Sequence, residues 1–120
     1  MKVAICAQGT HLDAPMDLRF GRCPYFVVAD PQTGEWEHVP NPGPGAAGGA
    51  GIQAAQLMIK LKVDAVITGR LGPNAMEVLK KAGIKVYEGT VGTVRQNLEA
   101  YRQNRLPLLT QPNAPGGHKP

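Results

Sequence analysis

The stretch from Ile52 to Tyr87 constrains the fold more than any other part of this chain. Ile52 to Lys62 has a helical period, with Ile52, Ala55 and Ile59 on one face. Asp64 to Thr68 is a short apolar run of strand length, and Gly69-Arg70-Leu71-Gly72 ends it. Pro73 stands where a second helix begins, a position that accepts proline because its missing N–H has no partner there. Ala75, Val78, Leu79 and Ala82 follow at helical spacing, Gly83 stops the helix, and Ile84 to Tyr87 reads as another strand. A strand–helix–strand unit of this length closes as a right-handed crossover between parallel strands. The chain is therefore of the α/β class.

The remaining elements fit around that unit. Lys2 to Ala7 reads as a buried strand, and a polar loop follows it to Arg22. Tyr25 to Ala29 and Glu35 to Val39 read as a hairpin around Asp30-Pro31-Gln32-Thr33-Gly34, where proline presets one turn dihedral and glycine supplies a positive φ. Pro40 to Gly51, rich in proline and glycine, reads as the most flexible loop. Val91, Val94, Leu98 and Tyr101 mark a last helix, for which Thr90 is the expected N-cap. The sequence thus predicts a mixed sheet of about five strands with flanking helices, in one domain over residues 1–105. Residues 106–120 are expected to form a disordered tail.

Composition removes several function classes. The chain has 120 residues, about one domain, with no apolar run of the roughly 20 residues needed to span a bilayer. Its start is strand-like and too short for a secretory signal, so a cytoplasmic protein without membrane attachment is expected. Two cysteines are too few for a disulfide-stapled secreted domain, and reduced thiols are the expectation. The net charge of +4 suits an anionic partner. The basic residues form no run and aromatics are only 5%, so nucleic-acid binding is not expected. There is no phosphate-binding lysine loop, no GxSxG or GxGxxG pattern, no Cys-x-x-Cys and no His-x-x-x-His. A metal-dependent nuclease would need clustered carboxylates, whereas Asp13, Asp17, Asp30 and Asp64 are scattered and Lys2 to Ala7 carries none.

What remains is a set of glycine-bearing loops. Ligands of open α/β sheets bind beyond the carboxyl ends of the strands. Gly9, Gly69 with Gly72, and Gly89 each follow a strand, and parallel strands would bring them to one edge. Gly51, Gly72-Pro73 and Gly89-Thr90 also lead into helix N-termini, whose free N–H groups and positive partial charge favour anions. Glycine and proline also punctuate ordinary connections; it is the convergence that points to a site. Arg19 and Arg22, flanking Phe20-Gly21, can clamp an anion, and Cys23 follows them. His11, with Thr10 just past the first strand, is a candidate metal contact, as is Cys23. Cys6 lies mid-strand and reads as core, and His118 cannot hold a site alone.

Four co-linear segments carry a resemblance. Arg19-Phe20-Gly21-Arg22-Cys23-Pro24-Tyr25-Phe26 resembles a segment of the dinitrogenase iron–molybdenum cofactor biosynthesis family. Gly49-Ala50-Gly51-Ile52-Gln53-Ala54-Ala55 is similar to its helix entry. Asp64 to Gly69 with Leu71-Gly72-Pro73-Asn74-Ala75 is similar to its strand–loop–helix segment, and Gly83 to Tyr87 to its final strand. The likeness runs over residues 1–103 and is nearest the branch that binds a molybdenum–copper sulfide cluster. It implies a ribonuclease-H-like three-layer fold and non-catalytic binding or carriage of an anionic metal–sulfur cluster, of molybdenum–copper or iron–molybdenum type. Loops, charge and resemblance together give the expected contacts Thr10, His11, Arg19, Phe20, Gly21, Arg22, Gly49, Gly51, Gly69, Gly72, Pro73, Asn74 and Thr90, in a protein expected to be monomeric. The family's tail is often rich in histidine and cysteine, whereas this one holds only His118. The competing reading is a regulatory or scaffold domain that binds a protein partner.

Overall fold

The computed structural model describes residues 1–45 and 49–114. Its strands are β1 (Val3–Ala7), β2 (Tyr25–Ala29), β3 (Trp36–Pro40), β4 (Ala65–Thr68) and β5 (Lys85–Glu88). Its helices are α1 (Ala50–Leu61), α2 (Pro73–Lys81) and α3 (Val94–Arg102), with a single 3-10 turn at Gly43–Gly45. The sheet order is β3-β2-β1-β4-β5. β1 pairs parallel with β4, and β4 with β5, while β2 runs antiparallel to both β1 and β3. All five residues of the central β1 are buried, as a parallel strand covered on both faces requires.

Alternation along the strands makes two cores. Ala4, Cys6, Phe26, Val66 and Val86 pack with Ala54, Met58, Ala75 and Leu79 of α1 and α2. Val3, Ile5, Val27, Ala65 and Ile67 pack with Val94 of α3. The result is helices, sheet, helix, in three layers. β3 lies at one edge of the sheet and is mostly exposed.

Three expectations need correction. The N-cap of the last helix is Thr93, not Thr90: the Thr93 side chain accepts the Gln96 N–H while the Gln96 side chain accepts the Thr93 N–H. The spacing Thr93-x-x-Gln96 is a capping box, a stronger start signal than the lone threonine upstream. The Thr90 N–H is instead held at 2.8 Å by Oδ1 of the fully buried Asn97, whose Nδ2 donates to the carbonyls of Thr90 and Thr93.

The second correction concerns the tail. Residues 106–109 pair with β5: the Glu88 N–H donates to the Pro107 carbonyl at 2.9 Å and the Leu109 N–H to the Val86 carbonyl at 2.8 Å. Leu106 is buried in the α3-side core. Proline reads as a breaker in sequence, yet an edge segment needs only its carbonyl, which Pro107 supplies. The part of the expected tail over residues 115–120, including His118, lies outside the described residues.

The third concerns the start of the loop after β3, residues 41–43. Asn41 is buried and fixes it: its N–H donates to the Pro24 carbonyl at 3.0 Å and its Oδ1 accepts the Gly43 N–H at 2.9 Å, while residues 46–48 of the expected flexible loop lie outside the described residues.

Two outcomes follow for stability. Asn97→Ala, which empties a fully buried side-chain site and removes the partner of both the Thr90 N–H and the Thr90 carbonyl, should lower unfolding free energy by about 1–3 kcal/mol in urea titration; a loss below about 0.5 kcal/mol would contradict the hub role. A chain ending at residue 105 should be less stable than the full chain and prone to self-association through the bared β5 edge, read by denaturation and light scattering. An unchanged midpoint would mean that residues 106–114 do not hold to the sheet.

Candidate functional site

Parallel pairing sends β1, β4 and β5 toward one edge, and the start of β2 and the end of β3 lie there too. The loops carrying Gly9, Gly69 with Gly72, and Gly89 therefore share that edge, as the sequence implied. The segment from Asp17 to Cys23 crosses it. The Asp17 N–H donates to the Cys6 carbonyl at 3.0 Å. The Arg70 N–H donates to the Leu18 carbonyl at 2.6 Å and the Phe20 N–H to the Arg70 carbonyl at 3.3 Å. Arg19 and Arg70 thus stand opposite one another in a short parallel bridge. Phe20 is buried against Phe26, ring centres 5.4 Å apart, and so anchors the segment rather than presenting a surface.

Arg19 is held by Asp17, a buried carboxylate. Asp17 Oδ1 accepts from the Arg19 N–H at 2.9 Å and from Nε at 3.2 Å, and Oδ2 from Nη2 at 3.3 Å. The bidentate hydrogen bond and then the charge of Asp17 push the Arg19 guanidinium further up from its ordinary value. Arg22 and Arg70 are exposed on the same edge, so three guanidinium-bearing positions converge there. The sequence singles out Arg19 and Arg22; Arg70 joins them on this edge only through the bridge to Arg19, and Asp17, for which the Asp-x-Arg spacing was the available signal, was not singled out.

Beneath this segment two helices begin side by side. A β-carbon on Gly21 would stand 2.9 Å from the Gly51 nitrogen, and one on Gly51 would stand 3.3 Å from Ala75 Cβ. Only glycine at position 21 lets the arginine segment lie on the start of α1. The N-cap of α1 is Gly49 at φ 66°, and that of α2 is Gly72, with Pro73 in its first turn. Neither helix has a side-chain cap, and neither has an acidic residue in its first turn. Their leading N–H groups and positive partial charges are uncompensated by side chains. By contrast α3 is closed by its capping box, and the Gly89 and Thr90 N–H groups are consumed by the Thr68 carbonyl and by Asn97. The edge thus offers an anion two open helix starts, Gly49 to Ile52 and Gly72 to Ala75, beside Arg19, Arg22 and Arg70.

The metal-ligand candidates are placed differently. Cys23 is wholly buried; its thiol donates to the Phe20 carbonyl at 3.5 Å and accepts from Asn41 Nδ2 at 3.5 Å. Cys6 is also free and buried, and burial, then the hydrogen bond and charge of Cys23, push its thiol well up, so it stays protonated at neutral pH. Thr10 and His11 belong to an excursion whose contacts run to α3: the Arg95 N–H donates to the Leu12 carbonyl at 2.7 Å, and Arg95 Nε to Asp13 at 2.9 Å. His11 is exposed. Among the described residues no group of three or more His, Cys, Asp or Glu could hold a metal ion. The donor set of the edge is backbone N–H and guanidinium, which suits a preformed anion better than a bare cation.

Two surface hollows, of about 450 and 420 Å³, lie at the opposite edge around Met1. One is lined by Tyr87, Tyr101 and Leu106, the other by Val28, Glu35 and Trp36, and neither contains a helix start. Among the described residues no helix is long and apolar enough to cross a membrane.

Comparison with known proteins agrees with the geometry. The model of the family described as dinitrogenase iron-molybdenum cofactor matches residues 1–104. The apo form of the orange protein from Desulfovibrio gigas superposes with a TM-score of 0.90 at 38% identity, covering 94% of this chain and 96% of that one. A candidate NifB protein from Thermotoga, solved by NMR, superposes with a TM-score of 0.83 at 36% identity, over 96% and 98%. An uncharacterised protein of Methanocaldococcus jannaschii is 27% identical over 109 residues, 88% of this chain and 89% of the relative. Fold, loop edge and sequence segments agree: the chain belongs to the dinitrogenase iron–molybdenum cofactor family.

Proposed function

We propose that this protein binds and carries an anionic metal–sulfur cluster, of molybdenum–copper or iron–molybdenum type, without catalysing a reaction on it. The observation that carries the reading is the pair of adjacent helix starts, α1 and α2, left without side-chain caps or first-turn acids beneath the arginine segment. A glycine N-cap forgoes the side-chain hydrogen bond that a serine or aspartate would give the helix start, a difference of about a few tenths of a kcal/mol. Two side by side make sense where a ligand completes them. Family membership supports the ligand class, and the relative solved as an apo form supports a carrier.

In this reading the cluster is cargo. Its terminal sulfides accept N–H groups of Gly51, Ile52, Asn74 and Ala75, the surroundings of Gly21, Gly49, Gly69 and Pro73 let it approach the backbone, and Arg19, Arg22 and Arg70 balance its charge. Phe20 holds the arginine segment from within. Thr10, His11, Cys23 and Thr90 are secondary: the first two lie on the α3 side, Cys23 is buried and the Thr90 N–H is occupied. The sheet order with its one antiparallel strand supports a ribonuclease-H-like fold. Two free, buried thiols support a cytoplasmic carrier, which we take to be monomeric.

Reconstitution tests the function. Protein mixed with tetrathiomolybdate and Cu(I) under reducing conditions should retain, after desalting, a new visible absorption band and a raised melting temperature. Colourless protein with an unshifted melt would contradict the proposal. Asn74→Asp tests the seat. A carboxylate in the first turn of α2 should stabilise the ligand-free protein by about 0.3–1 kcal/mol and weaken cluster binding. Opposite signs in the two measurements are expected, whereas unchanged or tighter binding would place the cluster elsewhere.

A further inference from the structure

The turn between β4 and α2 is gripped from two sides. On one side lie the bonds from Arg70 to the Leu18 carbonyl and from Phe20 to the Arg70 carbonyl. On the other lies the end of the described chain. Asn113 Oδ1 accepts the Leu71 N–H at 2.8 Å, and Asn113 Nδ2 donates to the Gly69 carbonyl at 2.8 Å. The N–H groups of Asn113 and Ala114 both donate to the Leu71 carbonyl, at 3.0 and 3.2 Å. One side-chain amide therefore satisfies a donor and an acceptor two residues apart, 42 and 44 positions away in sequence. The chain reaches this point because residues 106–109 run along β5 first.

That grip falls on the residues that set α2's first turn. Gly69 and Gly72 flank Arg70 and Leu71, so the turn has much backbone freedom to lose. An anion seat made of backbone N–H groups works only if those groups are already in place when the ligand arrives. Gly72, the N-cap, has no side chain to orient the helix start. Asn113 does it from outside: by fixing both Gly69 and Leu71 it sets the direction in which Gly72, Asn74 and Ala75 present their backbone.

We propose that Asn113 is a positioning residue for the cluster seat, fastening the β4–α2 turn so that the start of α2 is preorganised for the anion. This rests on the cluster reading above.

The test is Asn113→Ala in the full chain. The backbone bonds from positions 113 and 114 to Leu71 survive that change, so the variant keeps its fold. Gln111→Ala is the control, an exposed residue of the same segment. The first readout needs no ligand. Amide hydrogen exchange at Leu71 and through the first turn of α2 should quicken roughly tenfold, as expected for losing two side-chain hydrogen bonds, while α1 is unchanged. The second uses tetrathiomolybdate with Cu(I). The variant should lose the cluster faster and show an altered visible circular dichroism band, because the seat's geometry has changed. Unchanged exchange and an unchanged band would overturn the proposal. So would faster exchange spread over the whole chain, which would make Asn113 a general stability residue. If wild-type protein itself takes up no cluster, the cluster reading fails and the positioning role with it; if wild-type protein takes up the cluster and the variant matches it in both readouts, the cluster reading stands and the Asn113 proposal alone fails.

Discussion

The parallel pairing of β1 with β4 and of β4 with β5 is the constraint on which the rest depends. Parallel strands need crossovers, crossovers here are helices, and every crossover helix starts at the same edge of the sheet. Three helix starts and the long β1–β2 connection are thereby forced together. The protein then treats those starts unequally. α3 is sealed by Thr93, Gln96 and Asn97, while α1 and α2 are left open where Gly21 lies against Gly51. That inequality separates the part of the edge where we propose the anion sits, with its open helix starts, from the part closed by side chains.

The electrostatics are arranged accordingly. A buried Asp17 in such a place looks unfavourable to an anion, yet its oxygens are spent on Arg19, fixing one guanidinium rather than presenting a free negative charge. Arg22 and Arg70 add exposed charge on the same edge. The Cys23 thiol lies beneath, bonded to Phe20 and Asn41. The cluster would be held by charge, N–H groups and shape, with no thiolate needed.

Much of this was legible in the residues. The run from Ile52 to Tyr87 carries its own period, stops and proline, so the parallel core could be read directly, and the hairpin followed from its turn. The shared loop edge followed from topology. What sequence reasoning missed depended on contacts between distant positions. Asn41, Asn97 and Asn113 look like loop or surface asparagines, yet each fastens backbone that only the fold brings near. Arg70 reaches the arginine edge only through its bridge to Arg19. Pro107 read as disorder because its carbonyl's partner, the Glu88 N–H, lies on a strand edge that local pattern cannot reveal. Thr90 and Thr93 are alike as residue types, and only Thr93 has a glutamine three residues on to return its bond and close a capping box.

The central claim is that the cluster sits at the two open helix starts. Backbone amide NMR of the full chain during titration with tetrathiomolybdate and Cu(I) tests it most directly. The account predicts the largest shifts at Ala50, Gly51, Ile52, Asn74 and Ala75, with Arg19 to Arg22 following. Shifts centred on His11, or on the Tyr87–Tyr101 hollow near Met1, with those five amides unmoved, would contradict it.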